Sequence, residues 1–97
     1  MQFIDEAYWP LRGDRAKVEV LATSDEDDGS GRKRPEPMFW CYEYGKGRVF
    51  GCIPGHYIWT FDDPYMRILL LRGMAWAAGE SPYRFDGLVL AGAPLGE

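Results

Sequence analysis

Apolar and polar positions first alternate over residues 17–23, KVEVLAT, where Val18, Val20 and Ala22 share one face and Lys17 and Glu19 the other. A period of two among β-branched residues predicts a strand. Upstream, Phe3 and Ile4 make a short apolar pair that stops at Asp5-Glu6. Residues 7–14 hold Pro10 and Gly13 too close together for a regular element, which predicts a loop. Downstream, residues 24–37 (SDEDDGSGRKRPEP) carry no large apolar side chain: the acids Asp25 to Asp28 are followed by the cations Arg32, Lys33 and Arg34. Such a segment cannot bury enough surface to offset its ordering entropy. It is expected as an exposed charged insert loop whose two charge blocks nearly cancel.

The pattern then turns strongly apolar. Residues 38–44 (MFWCYEY) and 48–53 (RVFGCI) read as two strands by their aromatic and β-branched content, and Gly45-Lys46-Gly47 between them is the short glycine-bearing link of an antiparallel hairpin. Cys41 and Cys52 fall inside these strands, where a free thiol packs as a small hydrophobe. A helix is expected over residues 64–78, with Asp63 as N-cap, Pro64 at the first helical position, and Gly79 and Pro82 as the stop. Arg67 and Arg72 are its only charged residues. They lie about 140° apart around the axis and make no common polar face. A helix of this kind is expected to be buried on more than one side, and one hairpin plus one further strand cannot cover it. Residues 81–97 form a tail with one apolar stretch, Leu88-Val89-Leu90-Ala91, expected as a short strand or a docking segment.

Ninety-seven residues suffice for one small domain. The net charge of −4 argues against a general nucleic-acid binder, and no apolar run reaches the ~20 residues needed to span a bilayer. No secretion signal is visible at the start, so a cytoplasmic protein is expected. Two cysteines and one histidine cannot build a four-ligand Cys/His zinc site, and no metal site is expected within the chain. The cofactor is left open.

Several motifs occur in a recognisable order: Asp5-Glu6-Ala7-Tyr8-Trp9; a strand ending Val20-Leu21-Ala22-Thr23; Tyr44-Gly45-Lys46-Gly47-Arg48-Val49-Phe50; Gly55-His56; and Phe61-Asp62-Asp63-Pro64 leading to Leu69-Leu70-Leu71-Arg72-Gly73-Met74-Ala75-Trp76-Ala77-Ala78-Gly79. Over residues 3–79 the chain resembles the C-terminal portion of the ThuA-like (trehalose-utilisation) family. The resemblance implies an α/β fold of the flavodoxin-like, class I glutamine amidotransferase-like type, a three-layer sandwich. Residues 1–80 would be its C-terminal portion, and the opening parallel βα units would be supplied from elsewhere. It also implies a role in the use of trehalose or a similar disaccharide. A partner is therefore expected: a sugar ligand, and either a second copy of the chain or the missing N-terminal half-domain.

The candidate chemistry sits in two places. His56 follows the second hairpin strand on a Pro-Gly loop, and open α/β sheets bind ligands beyond strand ends. It could act as general acid/base, ligate a metal or hydrogen-bond backbone. In glutamine amidotransferases of this fold an acid two residues after the histidine orients it; here that residue is Ile58. Neither cysteine occupies a strand-to-helix elbow, so a Cys-His-Glu triad is not supported. Asp5 and Glu6, with the phenol of Tyr8, form the second cluster, suited to binding sugar hydroxyls or to acid/base work, and equally to capping a turn. The expected catalytic group is His56, Glu6 and Asp5, with Tyr8, Tyr57 and Trp59 contacting substrate. Whether the chain is an enzyme on its own is left open. The alternatives are a non-catalytic interaction or dimerisation module derived from the same domain and a glutamine amidotransferase-type remnant.

Overall fold

The computed structural model describes residues 1–90 of the chain. Three strands form one antiparallel sheet in the order β1 (Glu19–Asp27), β2 (Lys33–Tyr44), β3 (Gly47–Cys52). A 3-10 helix, Ile58–Asp62, follows β3, then helix α1 (Pro64–Ala77) and a short helix α2 (Asp86–Leu90). Trp40 stands opposite Val20 in β1 and Gly51 in β3.

The β2–β3 hairpin and α1 form where their sequences predict. Asp63 caps α1 by accepting the amides of Tyr65 and Met66 at 2.8 and 3.3 Å. At the other end Gly79 adopts φ +80°. There the Gly79 and Glu80 amides donate back to Trp76 and Ala75 at 3.0 and 2.9 Å. This double closure is a Schellman stop, which needs the left-handed conformation that glycine adopts freely. Arg48 of β3 adds a bond to the Trp76 carbonyl at 3.1 Å, with its guanidinium 5.1 Å from the Trp76 ring centre.

The charged segment 24–37 departs from expectation. It is mostly exposed, with Pro37 buried at its end and Ser24, Glu26 and Glu36 half-buried, but it is not a loop: β1 and β2 run on through it, with Thr23 opposite Pro37 and Asp27 opposite Lys33. The reversal is confined to residues 28–32, where Asp27 accepts the amides of Gly29 and Gly31 and Asp28 that of Ser30. Ladder hydrogen bonds are made by backbone and need no apolar face. Opposite-charge neighbours such as Glu26 and Arg34 replace hydrophobic contact across this arm. The first strand accordingly runs past Thr23, and a register shift around Leu21 bends it.

One face of the sheet carries the core. Met38, Phe39 and Met66 are buried, with Phe3, Ala22, Phe50, Cys52, Leu69 and Leu70 packed around them. Phe50 lies against Gly73 of α1, where a Cβ would overlap the ring, so glycine lets the helix approach β3. Helix α1 is less covered than a helix buried on several sides: Met66, Gly73 and Ala75 are buried, whereas Tyr65 and Met74 are exposed and the other residues from 67 to 72 are half-buried. Arg72 makes a two-pronged ion pair with Asp86 at 3.1 and 2.8 Å and lies over the Tyr83 ring, fastening α2 to α1. The stretch expected as a short strand or a docking segment, Leu88-Val89-Leu90-Ala91, is helical through Leu90 and belongs to the helix docked on α1, and Ala91 and the rest of the tail lie outside the described residues. Trp40 and Trp76 are half-buried. No described helix is long and apolar enough to cross a membrane.

Candidate functional site

The two predicted clusters, some fifty residues apart in sequence, meet at the end of β3. The joint is Asp5. One of its carboxylate oxygens accepts the amides of Glu6 and His56 at 2.7 and 3.1 Å. The other accepts the Gly55 amide at 2.9 Å and the hydroxyl of Thr60. Partial burial pushes the Asp5 carboxyl upward, but the hydrogen bonds from Thr60, Glu6, Gly55 and His56 outweigh it and hold the group below its usual range. All of these donors are protein groups, so the geometry casts Asp5 as the residue that fixes the loop.

Thr60 was not among the residues singled out from the sequence. It is 3% exposed and is the buried polar side chain of the described residues. The signal was present: an aliphatic hydroxyl between Trp59 and Phe61, if it is buried with them, needs a hydrogen-bond partner.

With the loop fixed, Glu6 receives two phenols: Tyr8 donates to Oε2 and Tyr57 to Oε1, the latter at 3.0 Å. Donation from Tyr8 and then from Tyr57 lowers the Glu6 pKa, and acceptance by Glu6 raises that of each phenol. Glu6 is thus held as a carboxylate. His56 completes the group, its Nε2 3.7 Å from Glu6 Oε2 and its Nδ1 3.3 Å from the Tyr8 oxygen. The phenolic proton of Tyr8 is directed to Glu6, and the direction of the Tyr8–His56 contact follows the tautomer of the ring, whose two nitrogens face the Tyr8 oxygen and the Glu6 carboxylate. Imidazole, phenol and carboxylate thus stand side by side, with Tyr8 in contact with both His56 and Glu6.

Beside it, Tyr57 and Trp59 stack with ring centres 4.4 Å apart and planes 9° from parallel, and the His56 ring meets Tyr57 edge-on at 4.8 Å. The Trp59 indole N–H donates to the Ile4 carbonyl at 2.9 Å, a second tie to the N-terminal segment. Trp59 is 52% exposed, so the outer face of the stacked pair is open to solvent. All six predicted site residues therefore stand together. The side chain of Ile58 is 81% exposed, and the carboxylate beside His56 comes instead from Glu6. Cys41 and Cys52 are free thiols on strands β2 and β3, and burial raises the pKa of both. Among the described residues, no group of three or more His, Cys, Asp and Glu side chains is placed to hold a metal ion.

The arrangement defines a small α/β protein with a solvent-facing acid–phenol–imidazole cluster beside an aromatic platform. The chain belongs to the ThuA family, described as trehalose utilisation, whose family model matches residues 1–77. No curated protein and no solved structure matches it.

Proposed function

We propose that the cluster around His56 is a carbohydrate site in which a neutral disaccharide such as trehalose lies against Trp59 and Tyr57 and exchanges protons with His56. The observation that carries this reading is the convergence of Glu6, Tyr8, His56 and Tyr57 on one exposed spot. A carboxylate held ionised is a poor general base at neutral pH, whereas imidazole is the side chain suited to proton transfer there. His56 would give or take the proton at a sugar hydroxyl through Nε2. The Glu6 carboxylate, 3.7 Å from Nε2, and the Tyr8 oxygen would compensate the charge on the ring. Asp5 positions the loop and does not touch substrate. The exposed ring of Trp59 supplies the apolar surface on which the C–H face of a pyranose rests.

The family's finer fold, a flavodoxin-like three-layer sandwich, belongs to the same proposal. The half-covered α1 supports it, because a further layer would bury the exposed Tyr65 and Met74. That layer would come from a second copy of the chain or from a separate half-domain. A dimerisation module is the second reading that this exposure favours.

Calorimetric titration with trehalose tests the first reading. Binding that is lost in Trp59→Ala and weakened in Glu6→Gln supports it. Absence of binding to trehalose, maltose and sucrose at millimolar concentration contradicts it, and light scattering that reports an obligate dimer would then favour the module.

A further inference from the structure

The sheet face opposite α1 carries a second constellation. Trp40, Tyr42 and Tyr44 are alternate residues of β2 and therefore project to one side. At two residues per repeat their positions are about 6.8 Å apart, so the row spans roughly 13 Å along the strand. Their cross-strand neighbours in β3 are Gly51, Val49 and Gly47. Two glycines and a valine leave the aromatic rings uncrowded on that side. The half-buried Trp40 indole lies across Gly51, where a Cβ would overlap it, and lines a groove together with Tyr42 and Tyr44.

Residues 10–18 form the facing wall of that groove, which encloses about 580 Å³. This is within the range of roughly 300–1,000 Å³ typical of small-molecule sites. Its charged lining is balanced, with Arg12, Arg15 and Lys17 against Asp14, Glu36 and Glu43. Such a rim favours neither an anion nor a cation, yet it offers hydrogen-bond donors and acceptors on both sides of an aromatic floor. The matching ligand is uncharged, elongated, rich in hydroxyl groups and provided with flat C–H faces.

We propose that this groove binds a linear neutral glycan, its successive rings resting on Trp40, Tyr42 and Tyr44. None of the groove residues belongs to the His56 cluster, so the two sites are separate. The groove would hold a polymeric or oligomeric carbohydrate while the other site takes a small sugar, and either could exist without the other.

The test is an NMR titration of the chain with malto- and cello-oligosaccharides of two to five units, reading backbone amides and indole N–H signals. The expected result is shifts at β2 and residues 10–18, with affinity rising about tenfold between two and four units as more rings engage. Tyr44 is 78% exposed, so Tyr44→Ala leaves the fold intact. It should weaken the tetrasaccharide by roughly three- to tenfold, the loss of one stacking contact. Trp59→Ala should leave this binding unchanged. Three results would overturn the proposal: no shift with any oligosaccharide at millimolar concentration, shifts confined to the His56–Thr60 segment, or conversion of a dimer into a monomer by Tyr44→Ala with no effect of sugar. The last would make the aromatic row a protein interface.

Discussion

Replacing Asp5 by alanine removes four acceptor contacts at once, and their settings decide what each loss costs. The bonds from the Glu6 and His56 amides are exposed, so water replaces the carboxylate there at little cost. Those from the Gly55 amide and the Thr60 hydroxyl are part-buried, and Thr60 itself is 3% exposed. A hydrogen bond to a charged group contributes about 1.5–3 kcal/mol when shielded, so two such bonds with partial solvent access point to a loss of about 2–3 kcal/mol. For a domain of this size that loss lowers Tm by roughly 10–20 °C. Thr60→Val removes one of the same bonds and should cost about 1 kcal/mol, and the double variant should be less destabilised than the sum, because both substitutions break a shared contact. The pH dependence has a definite sign. Because Asp5 is held below its unfolded value near 3.9, its contribution is complete above that value and is lost as pH falls through the folded one. The gap in Tm between wild type and Asp5→Ala should therefore be widest near neutrality and should close on acidification below about pH 4. Differential scanning calorimetry across that range measures both effects. A Tm drop of less than about 3 °C at pH 7, or a gap that does not depend on pH, would refute the assignment of Asp5 as the loop's anchor.

Three other outcomes are expected. Gly73→Ala gains helix propensity but drives a methyl into Phe50, and overpacking wins, so the denaturant midpoint should fall by the equivalent of about 1–2 kcal/mol; an unchanged or raised midpoint would contradict the close approach of α1 to β3. Asp86→Ala releases Arg72 and should speed amide exchange within α2 while leaving β2 and β3 protected; uniform exchange throughout would deny that this ion pair fastens α2. Burial raises the thiol pKa of Cys52 and, to the same sign, that of Cys41, so both should react slowly with a thiol reagent in the folded chain and rapidly in denaturant; fast labelling of the native chain would contradict their placement.

The parts of the fold legible in the sequence were those in which side chains dictate structure. The Gly45-Lys46-Gly47 turn between two aromatic strands and the Asp63-Pro64 start with the Gly79 stop appear in the structure within a residue or two of where the sequence puts them. The continuation of β1 and β2 through residues 24–37 was not legible, because that arm is held by backbone bonds and charge pairs and shows no apolar alternation. In the tail the conformation was the illegible part: Leu88, Val89 and Leu90 allow a strand or a docking segment, and the turns from Ser81 onward lead into a helix that the Arg72–Asp86 pair holds against α1. At the site, the residue types were readable and their linkage was not. Nothing local to Asp5 says that its partners are the amides of Gly55 and His56, and Thr60 escaped notice because the aromatic residues around it dominated the segment.

His56 is the only histidine in the chain, so its ring C–H signals in NMR are unambiguous. Following them during a titration with trehalose tests the carbohydrate reading of the Glu6–Tyr8–His56 cluster most directly. Saturable movement of those signals in the wild type, abolished in Trp59→Ala and reduced in Glu6→Gln, is the predicted result. Signals that stay fixed throughout, or that move identically in all three proteins, would contradict it.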